Sequence, residues 1–195
     1  MTLGNIRHEV GRGKSVIGIG STVNAAIVIV AALPADLPEI ETLLDAGFGP
    51  ARRNRTAYRL RDRLVPDPAL SFTARDGGRL VGSVQCWNIR LQTGSQAVPL
   101  TLLGPVAAAA DCRGQGIGSA LVRAALTAID ATIGTVPVLL IGDAPFYGRF
   151  GFSAAATAGW TLPGPIDPAR VLLRGGSDLP RLGRVEAGAA ARCAA

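Results

Sequence analysis

A chain of 195 residues, 48% of them hydrophobic and 17% charged, has room for one domain with a genuine core and not for two, so a single site is sought. Its net charge of +6 permits a polyanionic partner, yet there are only 9 aromatic residues (5 Phe, 2 Trp, 2 Tyr) and no helix-turn-helix, zinc-finger or base-stacking pattern. A basic mouth for cofactor and substrate accounts for the charge better than nucleic acid does. Cys86, Cys112 and Cys193 are scattered, and the only histidine, His8, lies in a polar N-terminal stretch. That distribution argues against a zinc centre and against a Ser-His or Cys-His nucleophile, and it suits a reducing compartment.

The apolar run Val16–Leu33 follows Arg7, Arg12 and Lys14 and superficially has the two regions of a secretory leader. Gly18, Gly20, Ser21 and Asn24 interrupt it, and Ala25–Ala32 reads instead as a buried strand. A cytoplasmic chain with no membrane partner is expected. Gly11-Arg12-Gly13-Lys14-Ser15 resembles the end of a Walker loop, but His8 stands where the first glycine belongs and no strand precedes it. Residues 1–23 are expected to be an arm or extra sequence from an upstream start, 24–175 the domain, and 176–195 a tail without periodicity.

Asp36 can cap a helix whose third position is Glu39, with Ile40, Leu43, Leu44 and Phe48 on one face and Gly47 at its end. A strongly basic stretch, Arg53–Leu64, predicts a second helix, stopped by Pro66 and Pro68. Leu70–Ala74 and Arg79–Arg90 read as strands joined at Asp76-Gly77-Gly78, and Val98–Ala107 as a fourth strand. A helix follows from Gly116 to about Ile133, then an apolar run Val136–Ile141 with the look of a strand buried on both faces. A short helix near Phe146 and strands near Thr161 and at Val171–Arg174 complete a mixed α/β domain. The connection from the fourth strand through the long helix to the fifth is a crossover whose loop is a natural ligand site.

That loop, Arg113-Gly114-Gln115-Gly116-Ile117-Gly118-Ser119, leads a strand into a helix through glycines. Glycines let a diphosphate approach the backbone, and free N–H groups at a helix N-terminus point at it along the favourable end of the macrodipole. A dinucleotide fingerprint fails because Leu121 stands where its third glycine belongs, and the loop has no lysine and no Ser or Thr in the magnesium-binding position of a Walker site.

Arg113, Gly116 and Gly118 fit the Arg/Gln-x-x-Gly-x-Gly/Ala signature of the GNAT acetyltransferase superfamily, which the chain resembles. The likeness extends upstream to Gly104-Pro105-Val106-Ala107 and downstream to Phe146-Tyr147-Gly148-Arg149-Phe150-Gly151-Phe152. It covers about residues 25–175 and is nearest a YhbS-like bacterial branch, similar also around Arg55–Arg61 and Gly82–Trp87. The resemblance implies a mostly antiparallel central sheet with helices on both faces and a cofactor cleft where the fourth strand splays from the fifth. It also implies acetyl-CoA as acyl donor, without a metal, and a small-molecule or peptide amine as acceptor. A homodimer stays open.

By resemblance, the backbone of Val106, Ala107 and Ala108 receives the pantetheine arm and polarises the thioester carbonyl. Arg113, Gly114, Gln115, Gly116, Ile117, Gly118 and Ser119 bind the diphosphate. Tyr147 donates a proton to the departing thiolate. The alanine run Ala107–Ala110 departs from larger residues common in the family and implies looser packing under the pantetheine. Asp143 reads as a helix cap, Trp87 and Gln85 as lining of the acceptor pocket or core, and Glu41, Asp45 or water as the general base. Arg52, Arg53, Arg55, Arg59, Arg61 and Arg63 read as a solvated helix face, with steering of an acidic acceptor towards the cleft as the alternative. A non-catalytic acyl-CoA sensor keeps the same cradle and stands as the alternative.

Overall fold

The structure is a computed structural model and describes residues 27–132, 134 and 136–188. The N-terminal arm with His8 and the Gly11–Ser15 loop, and Cys193, lie outside the described residues.

Eight strands form one sheet: β1 Ile27–Ala31, β2 Phe72–Asp76, β3 Arg79–Thr93, β4 Gln96–Ala108, β5 Val138–Ile141, β6 Trp160–Thr161, β7 Val171–Arg174 and β8 Gly183–Ala187. The helices are α1 Leu37–Phe48, α2 Thr56–Arg59, α3 Ile117–Thr132 and α4 Ala144–Tyr147. The main sheet order is β1-β2-β3-β4-β5-β7, antiparallel except for the β4–β5 pair. This is the mixed α/β architecture read from the sequence, with the mostly antiparallel sheet that the family resemblance implies.

Side-chain alternation along β4 places the helices. Ala107 packs with Ile40 and Leu44 of α1, whereas Val106 and Ala108 pack with Ile117 and Leu121 of α3, so the two helices cover opposite faces. The apolar stripe of α3 lies flat on the sheet because Gly82 has no side chain there: a Cβ at Gly82 would sit 2.7 Å from Ile117 Cγ2. The N-terminus of α3 is thereby held close to β3 and β4. β5 is buried on both faces as its composition predicts, with Val138 and Leu140 in the α3-side core and Leu139 in the core of the other face.

Four readings are corrected. Asp36 does not cap α1 with its side chain; its carboxylate turns back to accept from the Leu33 N–H at 2.8 Å and to pair with Arg75 at 2.7 Å. Helix α1 runs through Gly47 and ends at Gly49, whose φ of 76° turns the chain aside just before Pro50. The basic stretch is no continuous helix. A 3₁₀ turn, Pro50–Asn54, carries Arg52 inward, and a single α turn follows, tied down where Thr56 Oγ1 donates to the Pro165 carbonyl at 2.7 Å. Beyond Gly175, where no periodicity is legible, β8 pairs antiparallel with β3 from Ile89 to Gln92, and Val185 is fully buried.

Candidate active site

β4 and β5 pair only at Thr101–Val138 and Leu102–Leu139. Past that point β4 continues six residues to Ala108 and β5 only two, to Ile141, without further pairing. A bulge sits there. Two steps on β3, from Val84 to Cys86, face three on β4, from Val106 to Leu103, which places the irregularity at Gly104-Pro105.

The bulge decides which backbone groups face the opening. The Thr101 N–H donates to the Pro137 carbonyl and so points towards β5. Beyond the bulge the Ala109 N–H donates to the Val81 carbonyl at 2.8 Å, so alternation turns Ala107 towards Ser83 of β3 and leaves the N–H and C=O of Val106 and Ala108 facing the gap. The opening is therefore an unpaired strand edge inside the protein. A cavity of about 950 Å³ fills it.

Helix α3 begins at one side of this gap. Its first intrahelical bond runs from Ala120 N to Gly116 O at 3.0 Å, so the N–H groups of Ile117, Gly118 and Ser119 point out of the helix start. Gly114 and Gly116 adopt φ of 82° and 77°, in the left-handed region that favours glycine. Of the predicted loop, Gly118 lines the cavity; Arg113, Gly114, Gln115, Gly116, Ile117 and Ser119 do not, and the Ile117 side chain is core. Arg149 donates to Ser119 Oγ at 3.1 Å and lies over the Phe146 ring, which sets a cation beside the helix start.

Tyr147 lines the cavity from α4, its ring edge-on to Phe146 at 4.8 Å and to Phe152 at 6.2 Å. Burial pushes its hydroxyl up to about 12; the Arg170 charge partly offsets this and Asp143 adds to it. It stays protonated at neutral pH. Gly142 makes room for the ring, since a Cβ there would lie 2.3 Å from Tyr147 Cε2 and 3.1 Å from Leu140 Cδ1. Gly142→Ala is expected to displace the ring and cost about 1–3 kcal/mol of stability by overpacking, measurable by denaturant unfolding. Unchanged stability would mean that the ring moves freely.

The opposite wall comes from the segment between Phe48 and Arg61 and from Pro165 and Ile166. Glu41 and Asp45, one turn apart on α1, accept from Arg52 at 2.5 and 2.6 Å and from Arg53 at 2.9 and 3.0 Å. Hydrogen bonds from both arginines hold the Asp45 carboxyl below its ordinary range. Neither carboxylate lines the cavity, which removes both as direct bases. Arg52, only 1% exposed, passes its third contact to the Tyr58 hydroxyl, and Arg61 stacks over the Tyr58 ring at 3.7 Å and faces Trp87 at 5.2 Å. Trp87 Nε1 in turn donates to the Gly104 carbonyl at 2.9 Å. One run of contacts thus links α1 to the bulge of β4.

Trp87 and Gln85 are buried and do not line the pocket, which corrects that part of the reading. Arg52 and Arg61 are likewise not on a solvated face. The spacing of Glu41 and Asp45 was the available signal, because two carboxylates at i and i+4 on one helix face suit a shared guanidinium. Asp143 stands at the N-cap position of α4 without a side-chain capping bond, and among the described residues it is the carboxylate that lines the cavity.

Residues 29–155 match the family model described as acetyltransferase (GNAT) domain, and the chain belongs to the GNAT acetyltransferase family. It is 28% identical over 133 residues to the uncharacterized N-acetyltransferase YjhQ of Escherichia coli K12, covering 68% of this chain and 71% of that one. In fold it is similar to YhbS of Escherichia coli, solved in complex with CoA, with a TM-score of 0.68 at 23% identity over 87% of this chain and 94% of the other. A GNAT family acetyltransferase from Brucella melitensis, solved with acetyl-CoA, superposes with a TM-score of 0.60 at 25% identity over 84% and 96%. No helix among the described residues is long and apolar enough to cross a membrane.

Proposed function

We propose that the chain transfers the acetyl group of acetyl-CoA directly to a primary amine, with both held in the cavity at once. The observation that carries this reading is the unpaired edge of β4 beside the N-terminus of α3. An arm of amides fits such an edge as an added strand does, and a diphosphate fits the free N–H groups of a helix start. The similar proteins solved with CoA and acetyl-CoA support it.

Val106 and Ala108 would receive the pantetheine through their gap-facing N–H and C=O groups, with Ala107 completing the strand. The backbone from Arg113 to Ser119, assisted by Arg149, would hold the diphosphate. When bound, acetyl-CoA supplies an acetyl group activated as a thioester. Tyr147 holds the proton that the leaving sulfur needs, and Asp143 stands in the same cavity to take one from the amine. Removing that proton matters because only a neutral amine is nucleophilic.

Acetyl-CoA or CoA at about 100 times its dissociation constant should stabilise the protein by about 2.7 kcal/mol. For a chain of this size that is a rise in melting temperature of roughly 5–10 °C. NAD and ATP at equal concentration should do much less, and a larger shift with NAD would displace the assignment. Release of free thiol in a screen of amines with acetyl-CoA separates an enzyme from an acyl-CoA sensor, since a sensor binds without turnover.

A further inference from the structure

We propose that the acceptor amine carries a carboxylate, and that Arg61, with Arg170 and Arg55, is the site that receives it. The proposal rests on the acyl-transfer reading and names its substrate class.

Six arginines that tie elements of the fold together have carboxylate partners. Arg52 and Arg53 share Glu41 and Asp45; Arg75 pairs with Asp36, Arg79 with Asp111, Arg90 with Glu186 and Arg174 with Asp130. The three that line the cavity beside Arg52 differ. Arg55 donates to the Phe48 carbonyl at 3.3 Å and lies over the Phe48 ring at 5.6 Å, and Arg55, Arg170 and Arg61 form no ion pair among the described residues.

Arg61 is the telling one, because it is 8% exposed and an unpaired buried charge is costly. Its Nε donates to the Ala57 carbonyl at 3.1 Å, and its guanidinium carbon lies 3.7 Å from the Tyr58 ring centroid and 5.2 Å from that of Trp87. The aromatic pair fixes the orientation of the guanidinium without neutralising it. Burial lowers its proton affinity, so it gains from an anion more than an exposed arginine would. A planar fork of donors, pre-aligned and without a carboxylate, matches a ligand carboxylate in a bidentate manner.

The polarity of the cavity also matches. Arg170 and Asp143 both act electrostatically on Tyr147, so a cation and an anion flank the proton donor. Asp143 suits the ammonium end of a zwitterion, and the arginines suit its carboxylate. The wall that presents Arg55 and Arg61 is fastened to the strand connection leading to Arg170 by the Thr56–Pro165 bond and by Arg59 donating to the Pro163 carbonyl at 2.9 Å. These are elements separate from the start of α3, so the three arginines line the cavity apart from the proposed diphosphate loop.

The test is calorimetry on protein with and without saturating CoA, using phenylalanine against phenethylamine, tyrosine against tyramine, and leucine against isopentylamine. Each pair differs by the carboxylate alone. The carboxylated member is expected to bind at least about tenfold more tightly, which is one charge-assisted contact. Arg61→Met and Arg170→Gln should each remove most of that preference while leaving CoA affinity unchanged, and Arg61→Lys should restore part of it. Arg170 is exposed, so its variant reports even where Arg61→Met disturbs packing. Equal binding of the paired amines, or no binding of either, overturns the proposal. Acetylation of phenethylamine as efficiently as phenylalanine overturns it too and leaves acyl transfer standing; preferential binding of the amino acids with no thiol release keeps the carboxylate site and removes the transferase reading.

Discussion

Gly116→Val is expected to raise the dissociation constant for CoA by at least about 100-fold while pantetheine binding changes little. Gly116 sits at φ 77°, where a β-branched residue is strained, and it is exposed just ahead of the first helical N–H groups. Forcing it into an ordinary conformation turns the start of α3 and misaligns the donors from Ile117 to Ser119. Losing two or more charge-assisted hydrogen bonds at roughly 1.5–3 kcal/mol each gives the stated effect. Calorimetry with CoA and with pantetheine, which lacks the diphosphate, isolates the cause. A variant that still prefers CoA over pantetheine as the parent does would place the diphosphate somewhere other than this loop. Far-ultraviolet circular dichroism controls for loss of the helix.

Tyr147→Phe is expected to lower turnover about 100-fold, at the low end for removal of a positioned proton donor, with CoA affinity nearly unchanged. The ring contacts to Phe146 and Phe152 survive the substitution, so the hydroxyl alone is tested. The pH profile gives a second readout. A hydroxyl pushed up to about 12 is protonated at every pH where the protein is assayed. Turnover should therefore rise with pH as the amine loses its proton, with no Tyr147-dependent falling limb below about pH 11. Full activity in the variant would remove the proton-donor role, and a falling limb near about pH 10 that disappears in it would mean a far more solvated ring.

Much of the fold is legible in the sequence because its elements carry local signals. The Gly77-Gly78 turn, the two-sided apolar run of β5 and the stripe of α3 each depend on neighbours a few residues away. The glycine loop proposed to hold the diphosphate is legible for the same reason, its glycines and helix start being contiguous. The cavity wall between Phe48 and Arg61 is not, because its structure comes from distant partners. Arg52 leaves the surface to meet Glu41 and Asp45, Thr56 is held by Pro165, and Arg61 lies over Tyr58 and Trp87. A run of six arginines in twelve residues reads as a solvated helix until those contacts are known. The bulge of β4 is intermediate: Gly104-Pro105 marks an irregularity, but only the register with β3 tells which backbone groups it turns to the gap.

The pairing of β8 with β3 bears on how the chain is made. β3 lends its first half to β2 and its second half to β8, and the Arg90–Glu186 contact closes a loop of 96 residues. On the ribosome the β2–β3–β4 meander can assemble early from short-range turns, whereas Ile89 and Leu91 wait for a strand synthesised near the far end. Throughout that interval an apolar sheet edge stands open to solvent or to a chaperone. The last apolar contacts of β3 are therefore completed only when Val185 arrives, a long-range closure of the kind that slows folding.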